Sequence, residues 1–197
     1  MLVDQCAMNR HALLLIDFVN PLDFEGADRL LPSALDGATH VAALRARAHE
    51  HDVPTIYVND NYGRWNLGFR EICDGVRRSA GRRLLERLEP DFARDLFVLK
   101  PMHSGFFGTA LDILLGHLNV RTLILTGIQG NMCVFATASD AYMRRYRVLV
   151  PADCTASESD AENEHALRQM ARAFKADTRP STDIDLDRHE SCYDSPA

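Results

Sequence analysis

Three reactive side chains stand at the ends of apolar segments of this 197-residue sequence. Asp17 follows the segment 13–16, Lys100 ends the segment 96–100, and Cys133 follows a turn after the segment 122–127. In an open parallel sheet the carboxyl ends of the strands meet at one edge, where ligands bind. A carboxylate, an ammonium and a thiol at such an edge indicate a hydrolase with a cysteine nucleophile.

The setting of Cys133 distinguishes it from the other cysteines. A turn with glycines precedes it, and residues 134–145 have a helical pattern, so its sulfur would lie near a helix N-terminus, which favours a thiolate. A buried, inert cysteine is equally compatible with the spacing alone. The remaining cysteines lack this strand–turn–helix setting, and we expect them to be inert: Cys6, Cys73, Cys154 and Cys192.

Asp17 and Lys100 each allow two interpretations. Asp17 is either the base that takes the thiol proton or a turn carboxylate before Asn20. Lys100 is either an ammonium that lowers the pKa of the thiol and keeps Asp17 ionised, or a solvated lysine beside Pro101. Their common position at strand ends favours the catalytic interpretation over either residue considered alone.

The turn before Cys133 offers a fourth component. Peptide N–H groups within Gln129–Cys133 would point at one spot and bind a developing oxyanion, and losing one such donor typically costs about 3 kcal/mol. Gly127 and Gly130 would permit the unusual backbone angles of such a turn.

Composition limits the class of protein. A net charge of −6 and a pI near 5.7 argue against nucleic acid or an anionic membrane as partner. No apolar run approaches the roughly 20 residues of a membrane span, and Met1–Arg10 lacks the pattern of a signal peptide. The five cysteines contain no C-x-x-C pair, which favours a reduced, cytoplasmic protein without a zinc site.

Apolar runs alternate with helical patterns along the chain. Continuous rather than alternating apolar runs are typical of strands covered on both faces, and here they predict five: 12–17, 55–59, 96–100, 122–127 and 147–151. Capping signals predict helices that begin near three residues: Ser33, Thr109 and Ser159. This alternation predicts one α/β domain over residues 1–197, a three-layer α-β-α sandwich with its core at about 12–176. Ile184 and Leu186 would form a short edge strand.

The connection 62–92 is longer than a crossover needs. Its arginines, among them Arg77 and Arg83, are typical of a solvated helix face, and its aromatic residues are candidates for a pocket wall. Asp60 is interpreted as a turn residue, and the spacing of His49 and His51 does not favour a metal pair. We expect the substrate pocket to be lined by Phe18, Tyr62, Trp65, His103 and Phe106, although Phe106, like Phe107, fits the core equally well.

Three segments resemble the isochorismatase-like cysteine hydrolases, which include nicotinamidases and N-carbamoyl amidohydrolases. They are ALLLIDFVN at 12–20, KPMHSGFFGT at 100–109 and TGIQGNMCVFATASDA at 126–141. The resemblance implies that Cys133 is the nucleophile, Asp17 the general acid/base and Lys100 the third member of the triad. It also implies a cis peptide between Ile128 and Gln129, an oxyanion hole from the Gln129 and Cys133 amides, a sheet of order 3-2-1-4-5-6, and a homodimer or homotetramer.

Two departures from the family pattern narrow the activity. Residues 59–65 contain no histidine, which argues against the metal of nicotinamidases and against nicotinamide, and Gly130-Asn131 replaces a frequent Thr-Asp. We therefore expect a metal-independent amidohydrolase that needs no cofactor and acts on a small-molecule amide or ureide. The alternatives are a vinyl-ether hydrolase of the isochorismate type with Asp17 as acid, a non-catalytic binding module, and a redox-sensing cysteine.

Overall fold

A computed structural model describes residues 10–187 of the chain. It contains six strands: β1 Arg10–Ile16, β2 Thr55–Asp60, β3 Leu96–Lys100, β4 Val120–Ile128, β5 Arg147–Leu149 and β6 Thr155–Ala156. Its α-helices are α1 Ala27–Glu50, α2 Phe69–Val76, α3 Arg82–Arg87, α4 Leu111–His117, α5 Phe135–Met143 and α6 Asp160–Phe174. A π-helical turn, Gly130–Val134, and two short 3₁₀ turns, Ala152–Cys154 and Ser181–Asp183, complete the described elements.

The strands form one parallel sheet in the order β3-β2-β1-β4-β5. This confirms the α/β fold and the first five positions of the expected order. The sixth strand lies elsewhere, because β6 pairs with the carboxyl end of β4, at Gly127 and Ile128. Because β5 pairs with β4 only as far as Ile124, β6 supplies the hydrogen-bond partners for backbone groups at the end of β4. An isolated bridge between Leu149 and Asp177 occupies the position outside β5.

Apolar clusters cover both faces of the sheet. Leu13 and Leu15 of β1 pack on the face with α1, α2 and α3, whereas Leu14 and Ile16 pack on the face with α4, α5 and α6. All four side chains are fully buried. Burial on both faces is the reason that the strands are continuously apolar in sequence.

The three predicted helix starts have different outcomes. Ser159 caps α6 by accepting the Glu162 N–H, and its hydroxyl also bonds the Glu162 carboxylate, as predicted. The prediction at Ser33 is wrong: α1 begins at Ala27, and the Ser33 hydroxyl donates to the Leu30 carbonyl inside the helix. Thr109 lies two residues before α4 and accepts the N–H of Leu111, the first residue of that helix.

The chain after α6 contributes to the core without forming the expected edge strand. Ile184 and Leu186 are buried, but they follow the turn Ser181–Asp183 and pack against the α1 side of the sheet. Arg47 of α1 donates to the carbonyls of Ser181 and Ile184, so their backbone bonds to a helix rather than to a strand.

The connection between β2 and β3 carries α2 and α3. Its arginines are exposed, as expected: Arg77, Arg78, Arg82, Arg83 and Arg87. Within the described residues no helix is long and apolar enough to cross a membrane. Cys6, Cys192 and the first nine residues lie outside the described part of the chain, and the predictions for them stay predictions.

Gly127 fixes how closely β4 approaches β1. Its φ of 146° is one that side chains rarely adopt, and a Cβ there would stand 2.3 Å from the carbonyl oxygen of Ile16. We expect Gly127→Ala to lower the free energy of unfolding by roughly 3 kcal/mol, measured by urea denaturation.

Gly116, inside α4, is the matched control, because a Cβ there meets no atom within 4 Å. Gly116→Ala should raise the free energy of unfolding by about 0.5–1 kcal/mol. Equal effects of the two substitutions would contradict the steric role of Gly127.

Candidate active site

The ends of β1 and β3 and the turn after β4 bring Asp17, Lys100 and Cys133 together. Lys100 Nζ lies 2.8 Å from Asp17 Oδ2 and 3.6 Å from Cys133 Sγ. Lys100 is fully buried and Asp17 is 4% exposed, whereas Cys133 is partly exposed. A carboxylate and an ammonium thus lie against the thiol of a partly exposed residue.

The backbone around Asp17 aims its carboxylate at the site. Asp17 has a φ of 56° in the left-handed region, which aspartate tolerates better than most residues. Its N–H donates to the Val58 carbonyl, and its Oδ1 accepts the Asp60 N–H at 2.7 Å. One carboxylate oxygen is thereby held by the end of β2, and the other faces Lys100.

Asp60 is a fourth residue of the site, which the sequence analysis assigned only to a turn. It does cap that turn, because its Oδ1 accepts the Tyr62 N–H at 2.6 Å. Its Oδ2 also lies 3.8 Å from Lys100 Nζ. The available signal was its place at the end of β2, in register with Lys100 on β3.

The turn that carries Cys133 is fixed by bonds to its own backbone and to its neighbours. The Gln129 carbonyl accepts the N–H groups of Met132 and Val134, and Ser157 Oγ accepts the Asn131 N–H. The peptide bond between Ile128 and Gln129 is cis. The turn therefore places Sγ in front of α5, with the Gln129 and Cys133 amides on the same short segment.

Gly130 is required for space rather than for its backbone angle. Positive φ occurs at Gly127 in this segment but not at Gly130, so that part of the expectation is wrong. A Cβ on Gly130 would stand 2.2 Å from Asn163 Oδ1 and 3.2 Å from Ser157 Oγ. Asn163 on α6 thus packs directly against the turn.

A polar chain that the sequence analysis missed reaches Gln129 from α1. Gln129 Nε2 donates to Glu158 Oε1 at 3.4 Å, and Glu158 Oε2 pairs with Arg29 Nη2 at 2.6 Å. Gly26 leaves room for that pair, since a Cβ there would stand 2.4 Å from Glu158 Oε2. Nothing in the local pattern of Glu158 indicates this contact, which depends on how α1 packs beside β6.

The resting sulfur is a thiol rather than a thiolate. Burial and the nearby Asp17 carboxylate raise the pKa of Cys133 to about 12, and Lys100 opposes them only in part. Lys100 lowers the pKa of the thiol, as expected, but burial and Asp17 outweigh it. Burial also raises the pKa of Asp17, against the attraction of Lys100, which makes Asp17 a better proton acceptor.

The predicted pocket residues separate into two groups. Phe18 is 1% exposed and packs in the core, and Phe106 is 5% exposed and stacks on Tyr146. Both rings therefore lie in the apolar clusters on the two faces of the sheet rather than at the surface. Tyr62, Trp65 and His103 lie at the surface: the Tyr62 hydroxyl donates to the Val19 carbonyl, Trp65 is 77% exposed, and His103 Nδ1 lies 3.7 Å from Cys133 Sγ.

The two histidines at the end of α1 and just after it pair with carboxylates. His49 bonds Asp95, and His51 bonds Asp187 at the end of the described chain. In residues 10–187 no group of three or more His, Cys, Asp or Glu side chains could hold a metal ion.

Comparisons with known proteins show which family the chain is similar to. The model of the isochorismatase domain matches residues 11–179. YaaI of Bacillus subtilis, described as an uncharacterized isochorismatase family protein, is 39% identical over 166 residues, 84% of this chain and 91% of its own length. Ureidoacrylate amidohydrolase RutB of Methylorubrum extorquens is 40% identical over 92 residues, which is 46% of this chain and 37% of RutB.

Solved structures show the same fold. N-carbamoylsarcosine amidase from Thermoplasma acidophilum superposes with a TM-score of 0.71 at 25% identity, covering 89% of this chain and 99% of the amidase. An isochorismatase-like hydrolase from Alkaliphilus metalliredigens superposes with a TM-score of 0.72 at 26% identity, over 89% and 94% of the two chains. Because the family model matches most of the length of this chain, the chain belongs to the isochorismatase family of hydrolases.

Proposed function

We propose that this hydrolase cleaves a C–N bond of a small amide or ureide through a thioester on Cys133. The observation that carries the proposal is the contact of one partly exposed thiol with a buried ammonium and a buried carboxylate. A nucleophile, a base and a fixed cation within hydrogen-bond reach are what acyl transfer needs. The names of RutB and of N-carbamoylsarcosine amidase, both amide-cleaving enzymes, support the same class.

Acylation begins with the thiol proton. Asp17 accepts that proton as Sγ attacks the carbonyl carbon, and the new negative charge forms on the carbonyl oxygen. The amides of Gln129 and Cys133 donate to that oxygen. Asp17 then gives the proton to the departing nitrogen, the C–N bond breaks, and a thioester and a free amine or ammonia result.

Deacylation repeats the proton transfer with water. Asp17, again a carboxylate, takes a proton from a water molecule that attacks the thioester carbon. The C–S bond breaks, the acid product leaves, and the proton returns from Asp17 to sulfur. Lys100 keeps its proton throughout and offsets the negative charge that passes between Asp17 and Cys133.

Vinyl-ether cleavage is the second candidate. The raised pKa of Asp17 favours it, because that reaction needs a carboxylic acid as proton donor and uses water rather than a protein side chain as its nucleophile. The two reactions differ in their dependence on sulfur, which makes Cys133 the discriminating residue.

The first test is loss of turnover in Cys133→Ala. A panel of small amides and ureides is incubated with the wild type, and ammonia or amine release is measured. We expect the variant to lose roughly 10³-fold or more in kcat, since removal of a nucleophile disables the whole triad. Brief incubation and intact-mass measurement should detect the acyl group on wild-type protein only.

Cys73→Ala is the matched control, because Cys73 is buried in the core on the α1 side and should not affect turnover. Full activity of Cys133→Ala on an amide would overturn the proposal. Cleavage of isochorismate by both Cys133→Ala and wild type, without amide hydrolysis, would establish the vinyl-ether reaction instead.

The second test separates the reactivity of the thiol from catalysis. Asp17 raises the pKa of Cys133, so Asp17→Asn should lower that pKa. At pH 8 more thiolate is then present, and alkylation of Cys133 by iodoacetamide should accelerate about tenfold or more. Amide turnover should fall in the same variant, because asparagine cannot take the proton.

Peptide-resolved mass spectrometry measures the alkylation rate. Asp60→Asn is the control, since Asp60 Oδ2 contacts Lys100 and the effect of Asp60 on the sulfur is indirect. Slower alkylation of Asp17→Asn than of wild type would contradict the assignment of Asp17 as the group that opposes the thiolate.

A further inference from the structure

His103 contacts the nucleophile from the solvent side. Its Nδ1 lies 3.7 Å from Cys133 Sγ, and the residue is exposed. The other two polar neighbours of the sulfur, Lys100 and Asp17, are buried. Sγ therefore lies between two buried charged groups and an exposed imidazole.

The loop of His103 is tied to the helix that follows Cys133. The Ser104 hydroxyl donates to the Asp140 carboxylate of α5. The Gly105 N–H donates to Thr137 Oγ1 at 3.0 Å, and the Thr137 hydroxyl donates to the Cys133 carbonyl at 2.7 Å. These bonds link the two residues that follow His103 to α5 and to the nucleophile itself, so an exposed side chain is held near the sulfur.

The proton inventory of the thiol decides the direction of the contact. A thiol has one proton, and the proposed mechanism passes it from Cys133 to the Asp17 carboxylate. Lys100 is a donor only. The thiolate that remains can meet His103 Nδ1 only as an acceptor, which requires a hydrogen on Nδ1.

We propose that His103 is a further catalytic residue, whose Nδ1–H donates a hydrogen bond to Cys133 Sγ and stabilises the thiolate during acyl transfer. This role rests on the proposed cysteine mechanism, although the contact exists in the free protein. His103 keeps its proton throughout the cycle. The thiol proton still passes to Asp17 and the leaving nitrogen, and a water proton still returns to sulfur through Asp17.

The charged groups around this contact lie on the buried side of Sγ or pair with other residues. The His103 imidazole is therefore the donor that faces Sγ from the solvent side. Asp17 at the end of β1 and Lys100 at the end of β3 face the sulfur, and Asp60 at the end of β2 faces Lys100. On α5, Asp140 is paired with Arg144 at 2.8 Å and with Ser104.

Three substitutions of His103 test which atom acts. Asparagine places an N–H donor close to the position of Nδ1, glutamine places it near Nε2, and leucine removes it. With iodoacetamide at pH 8, we expect alkylation of Cys133 to slow roughly fivefold in His103→Leu and His103→Gln, the effect of one neutral hydrogen bond. His103→Asn should stay within about twofold of wild type.

His117→Leu is the control for losing an exposed imidazole, because His117 ends α4 just before β4 begins, at the edge of the sheet opposite the site. Cys133 in His117→Leu should be alkylated at the wild-type rate. Thermal unfolding should show that all variants are folded. A wild-type rate in His103→Leu would overturn the proposal. Alkylation of Cys133 that is as slow in His103→Asn as in His103→Leu would also overturn it, because an N–H donor at the position of Nδ1 would then not be what matters.

The alkylation readout needs no substrate, so the two proposals fail separately. Absence of amide hydrolysis with the expected order of alkylation rates would overturn the proposed reaction and leave the His103 contact established. Amide hydrolysis by a Cys133-dependent route with equal alkylation rates would do the reverse.

Discussion

The buried ion pair between Lys100 and Asp17 is the interaction on which the site depends. Removing either ion from water costs several kcal/mol, and their attraction repays that cost only in good geometry with further hydrogen bonds. The structure supplies both, with a distance of 2.8 Å and a second carboxylate oxygen bonded to the Asp60 N–H. Because an unpaired buried charge is strongly destabilising, the pair requires β1, β2 and β3 to keep their register at the carboxyl edge.

This constraint extends to β4 and its turn. Gly127 allows β4 to lie close to β1 at Ile16, which brings the chain after β4 beside Asp17. The turn then needs support from elements later in the chain. Ser157 and Asn163 provide it, and β6 pairs with the last residues of β4 to place them there. Cys133 is thus positioned by the approach of β4 to β1 and by the contacts that follow β6.

The burial of this site explains why Cys133 is a thiol in the free protein. Burial and the Asp17 charge raise its pKa, and one ammonium does not compensate. In the proposed mechanism, reactivity is coupled to proton transfer, because the thiolate forms only as Asp17 becomes neutral.

Sequence alone was sufficient for the sheet, for five of its strands and for the three residues at its edge. The reason is physical: parallel strands buried on both faces are continuously apolar, so a charged or thiol residue that ends such a run stands out, and all such ends share one edge. The cap at Ser159 was equally local, since donor and acceptor lie three residues apart.

Only the tertiary structure decided how those residues are surrounded. The pairing of β6 with β4, the contact of Asp60 with Lys100 and that of His103 with Cys133 join segments that no local pattern relates. Phe18 and Phe106 were indistinguishable from pocket residues until the helices that bury them were in place. The direction in which the Cys133 pKa shifts was also decided by the tertiary structure, because desolvation depends on everything packed around the sulfur and not on the local sequence.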